Sequence, residues 1–407
     1  MMRDLLRAGF AGAFSVACAI ASPAIAQTQG VTADAIRIGA VGPITGPAAY
    51  IGLGGRDGLQ LAVNEINAAG GVNGRKLEVV FEDDAHSPTR ALAAAKKLVE
   101  QDQVFTLFSV GGSNATVGLV DYVRDRKVPL YVSFASAPQV TFPFARNMFR
   151  GGTTETARYG ELYAEIMDGY FKTKKVALMH GREEYPRNEA NAIATKLKAW
   201  YGIEPAVRVD FSIGDKDFTS QLVKVQQAAP DVIAFFGNPA EAAIAVRQAK
   251  ELGLKQRWFV GTTMVDTAFV TAARSNAEGV VGFALIPLLP TSTHPEMAKW
   301  KAAWSKAYPS APAGRPNIFD ILAYSDMYVL AEALKKAGKD LSADKLITAL
   351  EGITDYRVGA IATPRTFTAK HHIGNLSLVP MVVTKGSWEP LEGWKPSRES
   401  DILKQYQ

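Results

Sequence analysis

The chain has 407 residues, 47% hydrophobic and 21% charged, an ordinary globular composition with length enough for two domains. Its formal charge is +5, and Arg3, Arg7 and Asp4 supply +1 of it, so +4 remains beyond residue 26. No basic run carries that excess, which argues against a nucleic-acid partner.

Residues 1–26 read as a secretory signal. Arg3 and Arg7 form the positive start, 8–21 is an apolar stretch too short to span a bilayer comfortably, and Ala24-Ile25-Ala26 is a cleavage site. A soluble, exported chain beginning near Gln27 is expected. The single cysteine, Cys18, falls in this segment, and Ser15 is a poor residue three positions before a lipid-attachment cysteine. Plain cleavage then leaves no thiol or disulfide. No cofactor and no metal site is expected.

Ile36, Ile38 and Val41 mark a short buried strand, broken by Gly42-Pro43 and Gly46-Pro47. Leu59, Ala62, Val63 and Ile66 then share one face of a helix that Gly70-Gly71 ends. Such a strand, loop and helix corner is where an open α/β sheet binds ligands. Gly52, Gly54, Gly55 and Gly58 do not spell G-x-G-x-x-G, and no G-K-[ST] follows, so they serve close packing rather than a nucleotide. Further on, 77–81 is a strand, Ser87-Pro88 starts a helix, 104–110 is a strand, and Gly111 to Asn114 turns into a helix ending near Arg126. A strand at 128–132 leads to Ser133 and Pro138. Repeated β-α implies a parallel sheet with helices on both faces.

A second series follows Arg150-Gly151-Gly152, with strands at 176–179, 206–211, 232–236 and 258–260 between helices at 156–171, 188–200, 218–228 and 241–252. Amphipathic helices at 295–308 and 319–336 come next, then strands at 356–359 and 376–383. The tail is polar and expected to fray.

Three runs are specific: V-G-P-I-T-G-P at 41–47, A-V-N-E-I-N-A-A-G-G-V-N-G at 62–74 and E-D-D-A-H-S-P at 82–88. Together they resemble the amino-terminal signature of periplasmic solute-binding proteins of branched-chain amino acid ABC importers, the leucine/isoleucine/valine-binding family. The resemblance implies a type I periplasmic binding protein fold, two Rossmann-like α/β lobes joined by crossings near 150, 283 and 360. Lobe 1 would be 27–150 plus 284–358, lobe 2 would be 151–283 plus 359–395, and 396–407 the tail. It implies a monomer that captures a small-molecule carboxylate and meets an inner-membrane ABC permease. Where relatives often have an early disulfide cysteine, this chain has His86, so that staple is absent.

The same resemblance marks the site residues. Ser113, with Asn114 beside it, opens a helix after a strand, so its hydroxyl and nearby backbone N–H groups can face a carboxylate. An ordinary N-cap serine is compatible with that role. Gly111-Gly112-Ser113-Asn114-Ala115 is one residue short of a hydrolase nucleophile elbow, but His180, His294, His371 and His372 have no convincing setting for a triad. Phe134, Ala135 and Ser136 stand where relatives have a small residue, alanine and threonine, in a loop that holds the ligand's carboxylate and ammonium. Phe134 departs by adding a ring. Tyr185 matches a second-lobe tyrosine that closes over the ligand, and Asn238 replaces another. Tyr50 or Ile51 can wall the site.

Thr263 stands where the relatives carry a glutamate for the α-ammonium. Desolvating an ammonium without a carboxylate is costly. A ligand lacking the amine, an aromatic or other hydrophobic carboxylate, is therefore expected ahead of leucine, isoleucine or valine. A carboxylate of the Glu183-Glu184 loop reaching the same space on closure is the open alternative. Arg182 and His371-His372 read as surface residues. A sensor using the same fold is the rival reading outside transport.

Overall fold

The computed structural model describes residues 28–398 and 400–406, so the expected signal and Cys18 lie outside the described residues. Strand β1 (Ala35–Gly42) is buried along most of its length because β2 (Lys76–Asp83) and β3 (Thr106–Ser109) flank it in parallel register. Helix α1 (Ala49–Ala68) links β1 to β2, and α2 (Pro88–Lys96) follows β2. Ser87 holds the N-cap position of α2 without a side-chain cap bond. Helix α3 (Ser113–Arg126), β4 (Leu130–Val132) and β5 (Met148–Arg150) complete an all-parallel sheet in the order β2-β1-β3-β4-β5.

The chain then builds a second lobe. Helix α4 (Thr156–Gly169) leads to β6 (Val176–Gly181), α5 (Glu184–Tyr201), β7 (Val207–Phe211) and α6 (Thr219–Ala228). Next come β8 (Val232–Phe236), α7 (Pro239–Glu251), β9 (Arg257–Val260), α8 (Thr267–Ala273) and β10 (Val281–Ala284). Helices α9 (Pro295–Ala307), α10 (Ile318–Ala337) and α11 (Ala343–Glu351) follow, and α10 returns to pack on α1 in the first lobe. Strands β11 (Val379–Thr384) and β12 (Ser387–Pro390) finish the second sheet, whose order is β12-β11-β10-β9-β8-β6-β7. Only the β10-β11-β12 pairings are antiparallel.

The glycines of α1 do serve packing. A methyl group on Gly58 would sit 1.9 Å from the Asp320 carbonyl oxygen, and one on Gly52 would sit 2.0 Å from that of Pro43. No larger residue lets α1 approach α10 and its own preceding loop so closely.

Three sequence expectations need correction. Residues 356–359 form no strand, only an isolated bridge between Tyr356 and Arg365. The segment that follows pairs with β5 of the first lobe, through the Arg150–Ile373 bridge and the Gly374 N–H to the Arg150 carbonyl. The reason is a buried carboxylate: Asp326 of α10 takes the Arg365 guanidinium at 3.1 Å, and Phe367 packs edge-on to Phe149 with ring centres 5.3 Å apart. His372 is not a surface residue. It is fully buried, stacks on Phe149 at 3.7 Å and meets the Met148 carbonyl through Nδ1, while His371 is half-buried. The tail does not fray at its start. Glu165 accepts from the Ser397 and Arg398 backbone N–H groups, Glu161 accepts from the Ser400 hydroxyl, and the Arg398 guanidinium lies over Trp200.

Candidate functional site

The carboxyl ends of the parallel strands of both sheets face each other, and a cavity of about 290 Å³ lies between them. Lobe 1 supplies Ile51 from α1, His86 after β2, Asn114 from α3, Phe134 after β4 and Phe319 from α10. Lobe 2 supplies Glu183 and Tyr185 after β6, Ile213 after β7, Asn238 after β8 and Thr263 after β9. Such loops are where an open α/β sheet presents side chains to a ligand. The walls are chiefly apolar. Phe134 and Phe319 meet edge to face at 4.9 Å, and Tyr50 meets Phe319 at 5.7 Å.

The lobes touch directly. Tyr50 Oη donates to Asn238 Oδ1 at 2.8 Å, and the Ile318 backbone N–H donates to Asp266 Oδ2 at 3.0 Å. Tyr50 therefore sits at the edge of the first cavity and lines an adjoining one of about 350 Å³ that Asn238 also lines. Burial, with Glu241 and Asp266 nearby, raises the Tyr50 phenol well above its ordinary value, so it stays neutral.

Of the residues singled out from sequence, Asn114, Phe134, Tyr185, Asn238 and Thr263 line the first cavity, and Tyr50 borders it. Ser113, Ala135 and Ser136 do not line it; all three are fully buried. The Ser113 hydroxyl oxygen accepts from the backbone N–H groups of Ser136 and Ala137, each at 3.1 Å. It ties the β4 loop to the start of α3. Among the described residues no histidine or carboxylate hydrogen-bonds the Ser113 hydroxyl, as a serine nucleophile's base would. The Ser136 hydroxyl accepts from Thr156 Oγ1, and the Ser136 and Ala137 carbonyls accept from the buried Arg150 guanidinium. Phe134 does put its ring on the cavity wall.

Thr263 donates to the Gly237 carbonyl at 2.7 Å, which occupies its hydroxyl proton. Tyr185 lies in the first turn of α5, not in a loop, and its hydroxyl pairs with Thr262 Oγ1 at 2.7 Å. Behind it Glu189 is fully buried, accepts from Tyr163, and is pushed up to about 7 by burial. Arg182 is exposed and paired with Asp210, as a surface residue.

Sequence reasoning missed Ile213 and Phe319, gave His86 no part in the site, and held Glu183 only as the open alternative of the Glu183-Glu184 loop. His86 is held neutral by burial, which lowers its pKa, and its Nδ1 has no partner. Glu183 Oε1 accepts from the Ile213 N–H at 3.3 Å while its Oε2 is buried without a partner. A usable signal existed. Phe134, Glu183, Ile213 and Asn238 each stand two residues past the end of a strand, so the position recurs even where the residue type does not. Among the described residues no helix is long and apolar enough to cross a membrane, and no cluster of three acidic, histidine or cysteine side chains could hold a metal.

Two α/β lobes around a partly apolar cavity define a cleft-type solute-binding protein. The chain belongs to the periplasmic binding protein family, whose sequence profile matches residues 35–387. It is 33% identical over 328 residues to the leucine-, isoleucine-, valine-, threonine- and alanine-binding protein of Pseudomonas aeruginosa, covering 80% of this chain and 84% of that one. Its fold superimposes on the Streptococcus pneumoniae branched-chain amino acid transporter substrate-binding protein LivJ, solved with isoleucine. The TM-score is 0.74 at 26% identity, over 88% of this chain and 98% of that one. The Thermotoga maritima leucine-binding protein LivK gives a TM-score of 0.75 at 22% identity, over 88% and 97% of the two chains. The type I periplasmic binding protein fold is thereby established.

Proposed function

We propose that the chain is the soluble periplasmic solute-binding component of an ABC importer of the branched-chain amino acid type. It captures a small hydrophobic carboxylate in the interlobe cleft, closes over it by hinge motion, and delivers it to an inner-membrane permease without chemistry on the solute. The observation that carries this reading is the cavity of about 290 Å³ built from strand ends of both lobes. Its size suits an amino acid or an aromatic acid. Its lobe 1 side offers the first turn of α3, where helix N–H groups have no intrahelical partner, together with Asn114 and a neutral His86, a setting for a carboxylate. Phe134, Phe319, Ile51 and Ile213 suit an apolar side chain. The named relatives support the same class of solute.

Calorimetry and thermal unfolding with leucine, phenylalanine, phenylacetate and 4-hydroxybenzoate test it. At a solute concentration 100 times Kd, a binder should stabilise the fold by about 2.7 kcal/mol. No response to any hydrophobic carboxylate would overturn the reading.

A further inference from the structure

The cleft holds two chambers, and one side chain stands where they meet. The first, of about 290 Å³, and the second, of about 350 Å³, share Pro47 and Asn238 in their walls. Tyr50, in the first turn of α1, reaches across this border, and its Oη donates to Asn238 Oδ1 at 2.8 Å. Asn238 is the N-cap residue of α7 in the other lobe. The Tyr50 ring also ends an aromatic row that starts on the wall of the first chamber. Phe134 meets Phe319 at 4.9 Å, and Phe319 meets Tyr50 at 5.7 Å. With the acid group of a solute at Asn114 and His86, an apolar tail laid along this row stops against Tyr50.

The second chamber suits a continuation of that tail. Pro47, Leu53, Pro239, Ala240, Ala268 and Pro312 line it. Two of its charged side chains are committed: Arg315 pairs with Asp57 and Asp320, and Asp266 accepts from the Ala268 and Ile318 N–H groups. Glu241 accepts from the Gly214 N–H with one oxygen and keeps the other without a partner. A carboxylate there repels a second one, so the acid group of a solute stays in the first chamber and only the tail gains by entering the second.

We infer that Tyr50 sets the length of solute the cleft accepts, and that the chamber behind it is a second subsite for the apolar tail of a longer carboxylate. This rests on the proposed solute-binding reading and deepens it. Tyr50 acts by occupying the border between the chambers, and the Asn238 bond holds its ring there.

Calorimetric titration at pH 7 with phenylacetate, 4-phenylbutanoate, 6-phenylhexanoate and 8-phenyloctanoate tests it, with leucine beside them. In the native chain each added CH2 should tighten binding, by up to about fourfold, only until the tail meets Tyr50. The longest acid should then bind roughly tenfold more weakly than the best shorter one. Tyr50→Ala should raise the affinity ratio of 8-phenyloctanoate to phenylacetate by roughly tenfold or more. Tyr50→Phe keeps the ring and should keep the limit. Ala240→Trp added to Tyr50→Ala refills the second chamber and should restore it. The ratio separates this role from a structural one, because a weakened fold or looser closure lowers the affinity of every acid alike. If Tyr50→Ala fails to fold, Tyr50→Leu decides by the same ratio. No length limit in the native chain, a ratio unchanged by Tyr50→Ala, or a limit that Ala240→Trp does not restore would overturn the inference and leave the solute-binding reading standing. Leucine bound with none of the four acids bound would do the same. Folded protein that binds none of the five would overturn both readings.

Discussion

The two faces of the cleft share a topology of parallel strands but differ in the polar atoms they leave open: lobe 1 leaves the His86 Nδ1 unmet, and lobe 2 leaves carboxylate oxygens. On the lobe 1 face, polar groups close on one another: Ser113 is held by two amides of the β4 loop, and Arg150 clamps the carbonyls of that loop and of Thr154. On the lobe 2 face, Glu183, Glu189 and Glu241 each keep a buried carboxylate oxygen with no partner. Polar groups already satisfied inside the protein act as architecture, and those left open offer binding energy to a solute. A residue's type therefore says less about its role than its remaining hydrogen-bonding capacity.

The comparison breaks most sharply at Arg150. Replacing it with methionine removes the guanidinium donors from the Ser136, Ala137 and Thr154 carbonyls and the Thr141 hydroxyl, while Ser136 and Ala137 keep the Thr156 and Val140 N–H bonds. Arg150→Met should destabilise the fold by about 3–5 kcal/mol, read from denaturant unfolding. A loss under about 1 kcal/mol would mean that the lobe 1 network is not the rigid half.

Glu189 sharpens the contrast through pH. Burial holds its carboxyl at about 7, against an ordinary value of 4.5. The folded state therefore binds more protons than the unfolded chain between those values. The stability contribution of Glu189 falls as pH rises through this window, by roughly 3 kcal/mol in all. Glu189→Gln should remove that slope and gain on the native chain between pH 4.5 and 8. Parallel pH–stability curves for the two proteins would show that the Glu189 proton is not linked to folding.

The smallest effect belongs to Ser113. Ser113→Ala leaves the two amides of the β4 loop unmet inside the lobe, and should cost about 1–3 kcal/mol of fold stability. Solute affinity should fall by less than stability does, because the hydroxyl faces the loop and not the cavity. Parallel calorimetry and unfolding measure both. A large affinity loss with unchanged stability would return Ser113 to the solute.

Much of the fold was legible in the sequence. Hydrophobic periodicity and glycine–proline breaks place the α/β units, because strand and helix spacing depend on near neighbours. The runs at 41–47, 62–74 and 82–88 carried the family and with it the two-lobed architecture. Phe134, Tyr185, Asn238 and Thr263 were found through the family resemblance, and Asn114 through the strand-to-helix turn beside Ser113; all five line the cavity. What the sequence did not carry was which loop side chains turn inward. Ser113 meets amides 23 and 24 residues away, and Arg365 meets Asp326 across 39, so the long-range partner decides the orientation of each. The opening runs and element pattern determined the class of protein by local spacing and shape. Tertiary structure alone decided that Ser113 is masonry and Glu183 a wall of the cleft, because a side chain's free hydrogen-bonding capacity exists only after its distant partners are in place.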